Sequence, residues 1–117
     1  MHFTPTILSL TALSSLTSAF VIDTFKDENC ASLNQAGVNI WDNTCATWPE
    51  AHMSFKIKAW GGVQQAGFWF TEDGCGNILN PIKSGWVDST STSFSRETCY
   101  SFNGAVSNAI ASYYHSP

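Results

Sequence analysis

The sequence predicts an all-β domain made of two copies of one four-stranded unit, packed together as a β-sandwich. Three observations predict it. Phe55, Ile57 and Ala59 alternate with Lys56 and Lys58, the period of two that marks a strand with one buried face. Runs rich in β-branched and aromatic residues, 20–25 and 67–70, each lead into an acidic turn, Asp27-Glu28-Asn29 and Glu72-Asp73-Gly74. The chain also repeats itself: Phe25-Lys26-Asp27-Glu28-Asn29-Cys30 returns forty-five positions later as Phe70-Thr71-Glu72-Asp73-Gly74-Cys75.

The elements follow in order. Residues 1–19 are read as a secretory signal peptide. Ile7 to Leu16 is a short apolar and small-residue run, and Thr17-Ser18-Ala19 offers small residues for cleavage after Ala19, although the segment before the run carries His2 and no Lys or Arg. An apolar run of about ten residues falls short of the roughly 20 needed to cross a bilayer. Residues 20–117 then form one domain, with motif one at 20–60 and motif two at 66–115. In motif one the strand 20–25 and its acidic turn are followed by a return strand, Val38-Asn39-Ile40-Trp41. A third segment closes at Trp48-Pro49, where the proline argues against a helix, and the fourth strand is 54–60. In motif two, Trp86 follows Cys75 by the same eleven positions that separate Trp41 from Cys30, and Cys99-Tyr100-Ser101-Phe102 answers to Cys45-Ala46-Thr47-Trp48. The last segment, 108–114, is matched to 54–60, which aligns Asn108 with Ser54. Val106, Ala109, Ile110 and Tyr113 have helical spacing, but the strand in the matching position decides for a strand, with a short C-terminal helix as the alternative.

The copies differ in length. Fifteen positions separate Cys30 from Cys45 and twenty-four separate Cys75 from Cys99, and the nine extra residues are placed in the polar stretch Asp88 to Ser95. That stretch reads as a flexible surface insertion or, alternatively, as a binding loop.

Composition narrows the function. Apolar residues make up 44% and aromatic residues 14%, too much for a disordered chain, while charged residues are only 12% against a usual value of about 25%. With five Lys and Arg and a net charge of −4, phosphate neutralisation is not available, so nucleic acid is not expected as a partner. A secreted chain with Cys30, Cys45, Cys75 and Cys99 points to two disulfides, and no cysteine or histidine spacing suggests a metal site. The sequence contains no catalytic constellation. His52, beside Glu50, reads as a solvated loop residue, and His115 lies at the terminus. The paired acids at the two turns have a structural explanation in their repetition, and nucleophile, zinc-protease and phosphate-loop motifs are absent. Trp41 and Trp86, being matched, are assigned to packing. Trp60 ends a strand beside Gly61-Gly62 and Trp69 has Thr24 as its counterpart, and with Phe94 of the insertion they are the candidate exposed surface for sugar or protein.

Two four-stranded copies in about 90 residues suggest paired Greek keys, and here the residues resemble the βγ-crystallin family. Phe25 and Phe70 match the aromatic that opens that family's motif, Cys30 and Cys75 take its second buried position, and Ser54 matches the serine that opens the fourth strand. The family's hairpin glycine, which takes positive φ, falls on Ser32 and Asn77. Its calcium motif, which would fall on Pro49-Glu50 with Met53-Ser54 and on Asn103-Gly104 with Ser107-Asn108, is complete in neither copy, so no tight calcium site and no cofactor are expected. The resemblance implies that the third strand of each copy crosses to the other copy's sheet. It also implies disulfides that obey the pseudo-twofold, either Cys30–Cys45 with Cys75–Cys99, which is favoured, or Cys30–Cys99 with Cys45–Cys75. The implied role is non-enzymatic and extracellular, as in killer toxins, protease inhibitors and stress-related coat proteins, and the chain is also similar to small secreted fungal effectors. The expectation is a secreted monomer, effector- or toxin-like, whose loops engage a protein or cell-wall glycan. The alternatives are a carbohydrate-binding module using exposed Trp, and then a small hydrolase.

Overall fold

The computed structural model describes residues 18–61, 64–75, 80–114 and 116–117. Of the expected signal peptide, residues 1–17 lie outside these, as do Asn77 and His115. The described residues form eight strands: β1 (Ser18–Phe25), β2 (Leu33–Trp41), β3 (Thr44–Ala46), β4 (Ser54–Trp60), β5 (Ala66–Phe70), β6 (Lys83–Trp86), β7 (Tyr100–Ser101) and β8 (Ala109–Tyr113). They form two four-stranded antiparallel sheets, ordered β2-β1-β4-β7 and β3-β8-β5-β6. The C-terminal segment is a strand, as its counterpart required, and not a helix.

The alternation seen in the sequence sets which side chains meet between the sheets. Phe20, Ile22, Val38, Ile40, Phe55 and Ile57 of the first sheet join Ala46, Trp69 and Ile110 from the second, with Val87 just past β6 and Phe94 and Phe102 from loops, in one buried cluster. This is the packing of a β-sandwich. Phe55 is its hub, stacked on Trp69 at 4.4 Å between ring centroids and within 5.8 Å of Phe94, Phe102 and Tyr100. Residues next to the inward ones, Ala66, Phe68, Phe70, Ala109 and Ala111, form a second buried cluster on the other face of the second sheet, against which Cys75, Trp86 and Tyr113 pack.

The internal repeat holds at the level of strand register. The pairs Ile22↔Ile57, Asp23↔Lys56, Thr24↔Phe55 and Phe25↔Ser54 between β1 and β4 reappear as Gly67↔Ser112, Phe68↔Ala111, Trp69↔Ile110 and Phe70↔Ala109 between β5 and β8. The counterpart of Ser54 is therefore Ala109, one residue beyond the Asn108 that the sequence match selects; Asn108 instead matches Met53, and each donates its N–H to the last residue of its neighbouring strand, Phe70 or Phe25. In the same frame His52 matches Ser107. These two exchange both backbone hydrogen bonds, at 3.0 and 2.8 Å, so a residue pairs with its own repeat equivalent where the halves meet.

The disulfides are Cys30–Cys99 and Cys45–Cys75, so the favoured pairing within each copy is corrected to the exchanged one. Strand order gives the reason. β3, which carries Cys45, pairs with β8 in the second sheet and comes beside the turn after β5 that holds Cys75. β7, which Cys99 immediately precedes, pairs with β4 in the first sheet, where Cys30 contacts Ser54. The two bonds are repeat equivalents of each other. The first turn is also built differently from expectation. Cys30, and not Ser32, takes the positive φ of 56°, while the Asp27 carboxylate accepts the N–H groups of Asn29, Ala31 and Ser32. The Ser32 N–H foremost holds that carboxyl below its usual range.

The stretch 88–95 is anchored, which corrects its reading as a free polar insertion. Ser91 Oγ accepts from Ser93 N and Phe94 N, and Phe94 turns inward until its ring covers Gly85. A Cβ at Gly85 would stand 2.5 Å from Phe94 Cε2, so only glycine leaves room for that ring.

Candidate functional site

Antiparallel pairing brings the start of β5 and the ends of β6 and β8 to one rim of the second sheet. There Gln64, Trp86, Asp88, Thr90, Tyr114 and Ser116 line an open cleft of about 430 Å³, within the roughly 300–1,000 Å³ usual for small-ligand sites. Gly85 and Val87 are turned inward, so strand alternation turns Trp86 to the opposite face, where it rests half-buried on the second cluster. Tyr114, just past β8, is 68% exposed.

Asp88 holds this rim together. One carboxylate oxygen accepts the Gln64 N–H at 2.9 Å and the other accepts the Thr90 N–H at 2.9 Å and the Thr90 hydroxyl. Burial acts to raise the Asp88 pKa, but these hydrogen bonds outweigh it and the carboxyl sits below its ordinary value. Behind the cleft, Gln65 Oε1 accepts the Ser112 hydroxyl at 2.9 Å and the Asn43 N–H at 3.3 Å, and Asn43 Oδ1 accepts the Tyr114 N–H at 3.2 Å. The described lining thus offers two aromatic rings, hydroxyls and the Gln64 amide. Among the described lining residues the one ionised group is already engaged within the protein, and none is cationic. Such a surface suits a neutral, hydroxyl-rich ligand: rings meet apolar C–H faces while amides and hydroxyls exchange hydrogen bonds.

No protein-family model, curated protein or solved structure matches the chain. The functional reading therefore comes from its own geometry.

A second groove, of about 440 Å³, runs along β2, with Gln35, Asn39, Trp41 and Trp48 among its lining. β2 is an end strand of the first sheet, and it bulges where the register with β1 shifts between Ile22↔Val38 and Thr24↔Gln35. Gly37 sits in that bulge with φ +64°, a conformation that favours glycine, and its N–H is held by Asp23 Oδ1 at 2.8 Å. Trp48 lies over the strand edge, its Nε1–H donating to Asn39 O at 2.8 Å, and remains 45% exposed.

The three residues selected from the sequence do not form a shared surface. Trp69 is fully buried and Phe94 is 5% exposed, both within the inter-sheet cluster, so neither is available to a partner; Trp60 is half-buried against that same cluster. Conversely Trp41 and Trp86, assigned to packing because they are matched, each line a groove. Trp48 and Tyr114 were passed over. The signal that finds them is position: each aromatic lies just beyond the end of a strand, where the sheet stops covering side chains. His52 is buried, correcting its reading as a solvated loop residue. Its Nδ1 lies 2.8 Å from Glu50 O, its ring packs edge-on to Phe102, and Nε2 has no partner among the described residues. Burial lowers its pKa from the ordinary histidine value, against the opposing hydrogen bond to Glu50 O.

Proposed function

We propose that the chain is a secreted, monomeric, non-enzymatic binding protein of double Greek-key, βγ-crystallin-like architecture that holds a neutral glycan in the cleft at the β5–β6–β8 rim. The observation that carries the glycan reading is the lining itself: Trp86 and the exposed Tyr114 beside Gln64, Thr90 and Ser116, with the Asp88 carboxylate engaged on both oxygens. The strand order supports the architecture, since β3 sits in the sheet of the second half and β7 in the sheet of the first. Two disulfides in a domain of this size support an extracellular location. The buried ring of His52 and the committed carboxylate of Asp88 support a binding role over an acid–base one.

Calorimetric titration with chitohexaose and with laminarihexaose tests this. Saturable binding of either sugar is expected, weakened at least about tenfold, or about 1.4 kcal/mol, by Trp86→Ala and by Tyr114→Ala. Absence of binding to both sugars by the intact protein would overturn it. The second reading is an effector- or toxin-like protein that meets a host or competitor protein through its loops. The observation in its favour is Leu33, 53% exposed at the mouth of the first turn. Host-cell death or growth inhibition by a protein with no glycan response would favour it.

A further inference from the structure

We infer that the β2 groove is a second site for the same neutral glycan, so that one chain binds two sugar strands and bridges them. The inference rests on the glycan reading of the first cleft. Its starting point is the repeat, in which β2 and β6 are equivalent strands. Trp86 answers in register to Asn39 (Ala66↔Trp86 against Val21↔Asn39), and Trp41 lies two residues further along β2. The grooves they line are of nearly equal size, about 440 Å³ at β2 and about 430 Å³ at β6. The grooves lie on β2 and β6, end strands of different sheets, and share no described lining residue.

The second groove has the chemistry of the first. Trp48 supplies an exposed ring fixed by its bond to Asn39 O, Trp41 supplies a half-buried one, and Gln35 and Asn39 supply amides. Asn39 and Trp41 alternate with the inward Val38 and Ile40, so they belong to the outer row of β2. None of the described lining residues is charged, so none of them would pair with a phosphate or uronate, and a neutral sugar is the better fit. The bulge at Gly37 bends the strand and gives the row its concavity. It also removes regular ladder geometry from an end strand, so an added peptide strand has little to pair with there.

The experiment is calorimetric stoichiometry on the intact disulfide-bonded protein with whichever hexasaccharide binds, paired with turbidity of the matching long soluble polysaccharide. Two sugars per chain are expected. Trp48→Ala and Trp86→Ala should each reduce this to one, the double variant to none, and only the unaltered protein should cross-link the polysaccharide. Ala36→Glu is a second route to the same loss, since it puts a charge into the groove at an exposed position without removing a ring. Thermal melting checks that each variant is folded. One sugar per chain, abolished by Trp86→Ala and untouched by Trp48→Ala and Ala36→Glu, would overturn the second site while leaving the first. No binding at all would overturn both.

Discussion

At position 85 a single methyl group decides whether the core closes. The ring of Phe94 occupies the space that a side chain would need. Gly85→Ala should therefore destabilise the protein by about 1–3 kcal/mol through overpacking, and Phe94→Ala by about 3–5 kcal/mol through the cavity it leaves, both read from urea unfolding. His52 gives a prediction in pH. Its pKa in the fold is lowered by burial from the ordinary 6.5. Above about pH 6.5 neither state is protonated and the residue adds no pH dependence. Below it the unfolded chain takes up a proton that the fold resists, so stability falls with pH, by up to about 1.4 kcal/mol per unit, until the folded value is reached. The melting temperature of the unaltered protein should thus drop relative to His52→Phe between pH 6.5 and pH 4.5, with no such divergence above pH 7. Facing is what the sequence left open at this scale. β5, Ala-Gly-Phe-Trp-Phe, is buried along its whole length with a cluster on each face, so it carries no period-two signal to say that Trp69 points inward.

At the scale of elements, the strands themselves were legible and their partners were not. Alternation marked β4, β-branched and aromatic runs ending in acidic turns marked β1 and β5, and the repeat marked β8 against its helical spacing. The pseudo-twofold left two pairings open, with Cys30–Cys45 and Cys75–Cys99 favoured, and the seating of β3 and β7 in opposite sheets selects the other. The two bonds close separations of 69 and 30 residues. In the chain-entropy model these are worth at most about 4.4 and about 3.6 kcal/mol. Replacing Cys30 and Cys99 by Ser should accordingly lower the chemical-denaturation midpoint more than replacing Cys45 and Cys75. An equal or opposite ranking would mean that native packing, and not the unfolded chain, governs the difference.

Across the whole molecule, the repeat could be read from matched anchors, and the register of β1 with β4 and of β5 with β8 carries it into three dimensions, although it sets Trp86 against Asn39 and not against Trp41. The cleft could not be read in the same way. Its lining comes from positions 64, 86, 88, 90, 114 and 116, which become neighbours only once β5, β6 and β8 are aligned. The β2 groove is more local, drawn from positions 35–39, 41 and 48, but its concavity depends on a bulge that a lone Gly37 only hints at. If both grooves hold sugar, the two-fold repeat of strands is matched by a binding valency of two.

Each cystine runs from one half of the molecule to the other, with the segment around the exposed Gly61 between the halves. A peptidase cutting there would free no fragment. The severed pieces would travel as a single particle under oxidising conditions and part only when a reductant reached both bridges, a useful property in a digestive extracellular fluid.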